Sequence, residues 1–193
     1  MKKFTYVLLM TLIVFTLSAA AQVQTGNVLI GGNLAGISAG LNKPNVFSID
    51  LTPKAAWFIQ DNLALGGYVN FGIQTAQGAS TVTSYGVGGL GRYYAGSDIS
   101  FLKHARIFGE ATLGVGGQNV SAGGGSTNGL DFSFGPGFTY FVSRSIGLET
   151  LFKYNGLGGF GNVGYQNSLN LSFGLQIYLP VKSTVQKVVN DIN

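Results

Sequence analysis

Leu63-Ala64-Leu65-Gly66-Gly67-Tyr68-Val69-Asn70-Phe71-Gly72-Ile73-Gln74 is the stretch on which the fold turns. Its odd positions, Leu63, Leu65, Gly67, Val69, Phe71 and Ile73, are apolar or glycine. Its even positions, Ala64, Gly66, Tyr68, Asn70, Gly72 and Gln74, are small or polar. A β-strand sends successive side chains to opposite faces, so this period of two predicts a strand with one apolar face.

The same alternation recurs on both sides of this stretch. Upstream, Phe47, Ile49, Leu51, Pro53, Ala55 and Trp57 share a face, opposite Ser48, Asp50, Thr52 and Lys54. Downstream, Ile107, Gly109, Ala111, Leu113 and Val115 oppose Phe108, Glu110 and Thr112. Leu130, Phe132, Phe134, Pro136, Phe138 and Tyr140 oppose Asp131, Ser133 and Thr139, and Ile146, Leu148, Thr150, Phe152 and Tyr154 oppose Glu149, Lys153 and Asn155. Near the end, Leu169, Leu171, Phe173, Leu175, Ile177 and Leu179 oppose Ser168, Asn170, Ser172, Gly174 and Gln176. Weaker alternation marks Val28 to Gly36, and Val82 to Tyr94, where Tyr85, Val87 and Tyr93 oppose Ser84 and Arg92. The set amounts to eight strands of about ten residues, the length a tilted strand needs to cross a bilayer. An even number of antiparallel strands closes into a barrel without a free edge.

The connections alternate too. Those after the second, fourth and sixth strands centre on Gln60-Asp61-Asn62, Gly96 to Ala105, and Ser143-Arg144-Ser145. Those after the odd strands are glycine-rich and polar: Ser38 to Asn45, Thr75 to Thr81, Gln118 to Asn128, and Gly156 to Asn167. Short periplasmic turns and longer outer loops are the pattern of outer-membrane barrels, and both termini then lie on the periplasmic side.

Alternation alone also fits a soluble, lipocalin-like barrel with its apolar face inside. Charge decides between them. Charged residues are 9% of the 193, against about 25% in soluble proteins. The polar face carries about one charge per strand, too few for a water-facing exterior but suited to a crowded interior. On the apolar face, Trp57, Tyr93 and Tyr140 lie near the periplasmic strand ends and Tyr85 and Tyr154 near the outer ends. These five are candidate membrane-interface aromatics, two girdles at the two surfaces of a bilayer.

Met1-Lys2-Lys3, an apolar run from Val7 to Leu17 and the small residues Ala19-Ala20-Ala21 compose a secretory signal peptide. The run is short for an uncleaved anchor. The expected division is therefore a cleaved signal peptide over 1–21, a barrel over 22–180 and a short periplasmic tail over 181–193. In that tail Val181, Val185, Val188 and Ile192 fall at helical spacing. Of 11 basic and 7 acidic residues, Lys2 and Lys3 leave with the signal peptide, so the mature balance is 9 − 7 = +2. That gives no basic stripe for nucleic acid.

The chain resembles the OmpA/OmpX-type outer-membrane β-barrel domain. The resemblance covers Asn27 to Leu179. It is carried by Trp57-Phe58-Ile59-Gln60-Asp61-Asn62-Leu63-Ala64-Leu65-Gly66, by Phe138-Thr139-Tyr140-Phe141-Val142-Ser143-Arg144-Ser145-Ile146-Gly147-Leu148-Glu149, and by Gly91-Arg92-Tyr93-Tyr94. It implies an outer-membrane location, lipids as surroundings, and barrel-assembly machinery and periplasmic chaperones as partners in biogenesis. It carries over no catalytic residue. Family members commonly end on an aromatic residue in the last strand, whereas here Val181 to Asn193 follow Tyr178-Leu179-Pro180, which makes the assembly signal internal.

Six charges on the inner face balance: Lys54, Arg92 and Lys153 against Asp50, Glu110 and Glu149. Buried charges persist only when paired, so these predict an interior salt-bridge network, with Arg92 and Glu110 as neighbours on consecutive strands. The alternative is a catalytic or ion-conducting cluster, but an eight-stranded bore is just wide enough to fill with side chains. Gly86-Val87-Gly88-Gly89-Leu90-Gly91 and Gly156-Leu157-Gly158-Gly159-Phe160-Gly161 match a dinucleotide fingerprint, yet the first lies in a strand and the second in a loop, not between strand and helix. His104, the single histidine, sits in the turn Lys103-His104-Ala105-Arg106, remote from the outer loops where a lipid-modifying site would lie. The chain has no cysteine and no cluster of metal ligands.

The function these features point to is a structural or interaction role for a monomeric, non-enzymatic outer-membrane barrel with a plugged interior and outer loops open to a ligand, including the flexible Ala122 to Asn128. No cofactor or metal is expected. A narrow porin-like channel is the alternative, ahead of a lipid-modifying enzyme or a soluble carrier.

Overall fold

A computed structural model describes residues 23–39, 46–76, 78, 80–95, 104–121, 125–160 and 165–180. The expected signal peptide and tail lie outside the described residues, as do parts of several connections.

Eight strands follow one another: β1 (Val28–Ala39), β2 (Val46–Gln60), β3 (Leu63–Ala76), β4 (Val82–Tyr94), β5 (Ala105–Val120), β6 (Gly125–Phe141), β7 (Ile146–Gly159) and β8 (Tyr165–Leu179). Each pairs antiparallel with the next, and β1 pairs with β8, which closes the barrel. The apolar face is outside. Trp57 is 59% exposed and Leu169 65%, while Lys54 on the opposite face is 5% exposed. This overturns the soluble-carrier arrangement, which needs the reverse.

The strands are longer than the bilayer requires. They run from 12 residues in β1 to 17 in β6, against the ten or so that span it. Most described residues of two stretches predicted as loops, 118–128 and 156–167, are strand. β5 and β6 stay in register from Ala105↔Tyr140 to Val120↔Gly125, and β7 and β8 pair up to Gly158↔Tyr165. The physical reason is that alternation records lipid on one face. Above the membrane both faces meet water, the side chains turn polar on both, and the ladder continues unannounced.

At the end expected to be periplasmic, Gln60 pairs with Leu63, so Asp61-Asn62 makes a two-residue turn with Asn62 at φ 67°. That is the left-handed region, which asparagine tolerates. Residues ahead of β1 fold across this mouth. Gly26 N donates to Phe58 O at 2.8 Å, Asn62 N donates to Val23 O at 2.8 Å, and Thr25 Oγ1 donates to Asp61 Oδ1 at 2.7 Å. Val23 is buried there.

Among the described residues, one ladder is shorter than the others. β8 pairs with β7 along its length, but its ladder with β1 ends at Ala35↔Ser172. Beyond a register shift between Ala35 and Ser38, β1 continues along β2 through Ser38↔Ser48 and Ala39↔Phe47.

Candidate functional site

The barrel interior holds an ion cluster, an aromatic floor beneath it and a polar cavity above it. The cluster forms because inward positions at one depth carry the charges. Arg92 and Glu110 stand opposite each other in the β4–β5 register. Arg92 Nε donates to Glu110 Oε2 at 3.0 Å, and Nη2 donates to the same oxygen. Toward Glu149, Nη1 reaches Oε2 at 2.6 Å and Nη2 reaches Oε1 at 2.9 Å, a two-pronged pairing that matches the guanidinium fork. Lys54 Nζ donates to both Glu110 oxygens, at 3.0 and 2.9 Å. Lys153 Nζ lies 3.4 Å from Glu110 Oε1. Neutral amides complete the shell: Asn33 Nδ2 donates to Glu149 Oε1 and Gln176 Nε2 donates to Asn33 Oδ1, each at 3.3 Å.

Five of the six charges expected in the network are therefore together. Asp50 is not. It lies two inward positions above Lys54 on β2, about 13 Å along the strand, is half-buried, and bonds to Ser84 instead. Even spacing on one face made it look like a member, but a carboxylate reaches only a few ångströms, so depth excludes it.

The aromatic floor was not expected from the sequence. Phe58, Tyr94, Phe108, Phe141 and Tyr178 all point inward at the periplasmic end and are buried. Tyr94 is 5.3 Å from Phe108 between ring centroids, and Phe141 is 5.1 Å from Tyr178. The hydroxyls of Tyr94 and Tyr178 bond at 2.8 Å, and Arg92 Nη1 donates to Tyr94 at 3.0 Å. The Arg92 guanidinium lies 4.1 Å from the Phe108 ring centroid, a cation–π contact that ties cluster to floor. The Phe108 ring fits because position 137 is glycine: a β-carbon there would stand 2.7 Å from Phe108 Cε1. A signal was present in the doublets Trp57-Phe58, Tyr93-Tyr94 and Tyr140-Phe141. Consecutive aromatics put one ring on each face.

Above the cluster is a cavity of about 270 Å³ lined by Asp50, Asn70, Asp131, Lys153, Asn155 and Gln166, among others. The side chains of the ion cluster and the aromatic floor occupy the bore below this cavity. Tyr68 Oη donates to Asp131 Oδ2 at 2.8 Å across this space. Gly114 makes room for it, since a β-carbon there would lie 2.8 Å from the Tyr68 hydroxyl.

On the outer surface, Trp57, Tyr85, Tyr93 and Tyr140 are exposed. Tyr154 is half-buried in a patch with Phe134, 5.5 Å away, and its hydroxyl bonds to Tyr165 at 2.5 Å. His104 is in the turn before β5. Gly86 to Gly91 lie in β4 and Gly156 to Gly159 in β7, and among the described residues no helix follows either. Among the described residues no group of His, Cys, Asp and Glu is arranged to hold a metal.

No protein-family model matches the chain, and no curated protein matches it in sequence. Among solved structures it is similar to Neisserial surface protein A, at 20% identity and TM-score 0.54, over 78% of this chain and 95% of that one. It is also similar to the outer membrane protein OprG from Pseudomonas aeruginosa, at 9% identity and TM-score 0.50, over 81% of this chain and 97% of that one. At these identities the likeness is one of fold. The chain has the closed eight-stranded barrel of small outer-membrane proteins, which is what its sequence resemblance implied.

Proposed function

We propose that the protein is an integral outer-membrane barrel with an interaction role at the cell surface, carrying out no catalysis and passing no solute. The observation that carries this reading is the double seal. Arg92, Glu110 and Glu149 are each nearly inaccessible, and the aromatic floor lies directly beneath them. A solute entering from outside meets a paired ion cluster and then packed rings. The lipid belt of Leu65, Val69, Phe71, Leu113, Phe173 and Leu175 suits a bilayer, and the neighbours in fold are a surface protein and an outer membrane protein. Export and insertion would then depend on periplasmic chaperones and barrel-assembly machinery.

The cavity favours a second reading, a narrow channel entered from outside. Conductance of the pure protein in planar bilayers separates the two. The sealed barrel gives a baseline indistinguishable from protein-free membrane, and steady unitary openings would overturn it.

A further inference from the structure

Bare backbone on one wall makes room for the cavity above the ion cluster. Lower on β4 and β5 the inward positions carry Arg92 and Glu110, in register with each other. Higher up they are Gly88 and Gly86, in register with Gly114 and Gly116. Asp131 lies over this glycine patch. A β-carbon at Gly86 would stand 3.3 Å from Asp131 Oδ2, and one at Gly116 would stand 3.4 Å from Asp131 Cβ.

The opposite wall comes from β7 and β8. There Gln166, Ser168 and Asn170 alternate with the outward Leu169 and Leu171, line the cavity and are exposed. Inward side chains in contact with solvent mean that the cavity opens at this end, the one the sequence reading places outside the cell.

Charge on the lining cancels and is already held. Lys54 and Lys153 reach down to Glu110, at 2.9 and 3.4 Å. Asp50 bonds to Ser84, and Asp131 accepts from Tyr68 at 2.8 Å. Two ammonium groups against two carboxylates give the lining no preference for a cation or an anion. The other polar groups are neutral, among them the carboxamides of Asn70, Gln118, Asn155, Gln166 and Asn170. Each carboxamide offers donors and an acceptor on one planar group. Asn155 Nδ2 is buried with no acceptor among the described residues, and a buried donor is costly to leave unpaired.

A sugar hydroxyl both donates and accepts, so a ring of hydroxyls can use such a lining on all sides. The volume of about 270 Å³ is the liquid share of about nine waters, room for one hexose. We propose that the cavity is a binding site for an uncharged monosaccharide entering from outside. Its hydroxyls donate to Asp50 and Asp131 and accept from the carboxamides, Asn155 Nδ2 among them. The site goes beyond the surface-interaction reading and does not depend on the seal, because the cavity lies above both interior layers.

The probes are D-glucose, D-galactose and D-mannose, with D-glucosamine and D-glucuronate as cationic and anionic counterparts and L-alanine as a zwitterion. Binding to the folded full-length protein, in a detergent without a sugar headgroup, is read by saturation-transfer NMR. At least one neutral hexose is expected to bind with a Kd of about 1 mM or below. The charged sugars are expected to bind about threefold or more weakly than that hexose. Ser168→Trp fills the mouth from the inward side and abolishes binding. Leu169→Trp, one residue on and facing outward, leaves binding unchanged. Asn155→Leu weakens it about tenfold. Each variant is checked for the compact folded band on unboiled gels, and the comparison among ligands on wild-type protein needs no variant to fold. No saturable binding of any neutral hexose at about 10 mM would overturn the proposal. So would charged sugars or L-alanine binding as well as the neutral ones, or equal losses from Ser168→Trp and Leu169→Trp. The two readings fail separately: a conducting barrel that binds the hexose overturns the sealed-barrel reading alone, and a silent barrel that ignores it overturns only the sugar site.

Discussion

Glu110 holds more of the interior together than any other single side chain. It faces Lys54, Arg92 and Lys153 at once. Replacing it by glutamine keeps the shape and removes the charge, so three cations are left with Glu149 alone. Breaking a buried pair by removing one partner costs about 3–5 kcal/mol, because the other charge stays buried without compensation. Glu110→Gln is therefore expected to lower the temperature at which the folded band disappears on gels, and to lower the urea midpoint. An unchanged midpoint would remove the cluster from the account of stability. Asp50→Asn is the contrasting case. Its carboxylate is half-buried in the cavity and outside the cluster, so the expected change is about 0.5 kcal/mol or less. Sequence alone placed these two carboxylates in one network because both lie on the inner face at even spacing. Counting residues from the turns expected on the periplasmic side puts Lys54, Arg92, Glu110 and Glu149 at similar depth, and these four meet; Asp50 entered the network on charge balance, and depth along the bore excludes it.

At the scale of the strand, the outward face is tested by its position in the bilayer. Phe173 is 60% exposed and six positions above Leu179 in β8, near the middle of the apolar band. Phe160 is 63% exposed but follows the end of β7 at the outer side. Phe173→Lys is expected to destabilise the folded barrel by about 2–4 kcal/mol, and Phe160→Lys by about 0–1, the depth dependence of a cation against lipid. Refolding titrations into vesicles across urea measure both, and equal costs would contradict the placement of the membrane. The lipid-facing elements were legible because one solvent wrote on one face: Leu65, Val69 and Phe71 alternate with Gly66, Asn70 and Gly72 without interruption. The upper halves of β5, β6, β7 and β8 were not. Residues such as Gly125-Ser126-Thr127-Asn128 meet water on both faces, so nothing in their order distinguishes paired strand from loop. The aromatic floor was half-legible. Trp57-Phe58 and Tyr93-Tyr94 break the alternation, and the break is itself the sign that rings lie on both sides of the wall.

For the whole molecule, the question is what the two interior layers do in series. The floor excludes water by packing, with Phe58 5.8 Å and 6.3 Å from Tyr94 and Tyr178 between centroids. The cluster above it obstructs the bore differently, with Arg92 and Lys54 held on the carboxylates of Glu110 and Glu149 at one depth. On the sealed-barrel reading proposed above, either layer alone is expected to block steady ion flow, because each lies across the bore at its own depth. Phe58→Ala with Tyr178→Ala is therefore expected to lower stability through the cavity it leaves, by about 3–5 kcal/mol for the phenylalanine alone, yet to give no steady conductance. Adding Arg92→Met and Glu149→Met removes the most buried ion pair as a unit. That exchange tends to be tolerated better than removing one partner, and it leaves Glu110 with Lys54 and Lys153. The fourfold variant connects the cavity above with the opened floor below, and small steady openings are expected in planar bilayers from it alone. Openings from the floor variant by itself would show that the cluster is permeable and that the rings are the whole seal. Silence from the fourfold variant, with the folded band intact, would place a further barrier where Val23 and its neighbours cross the periplasmic mouth.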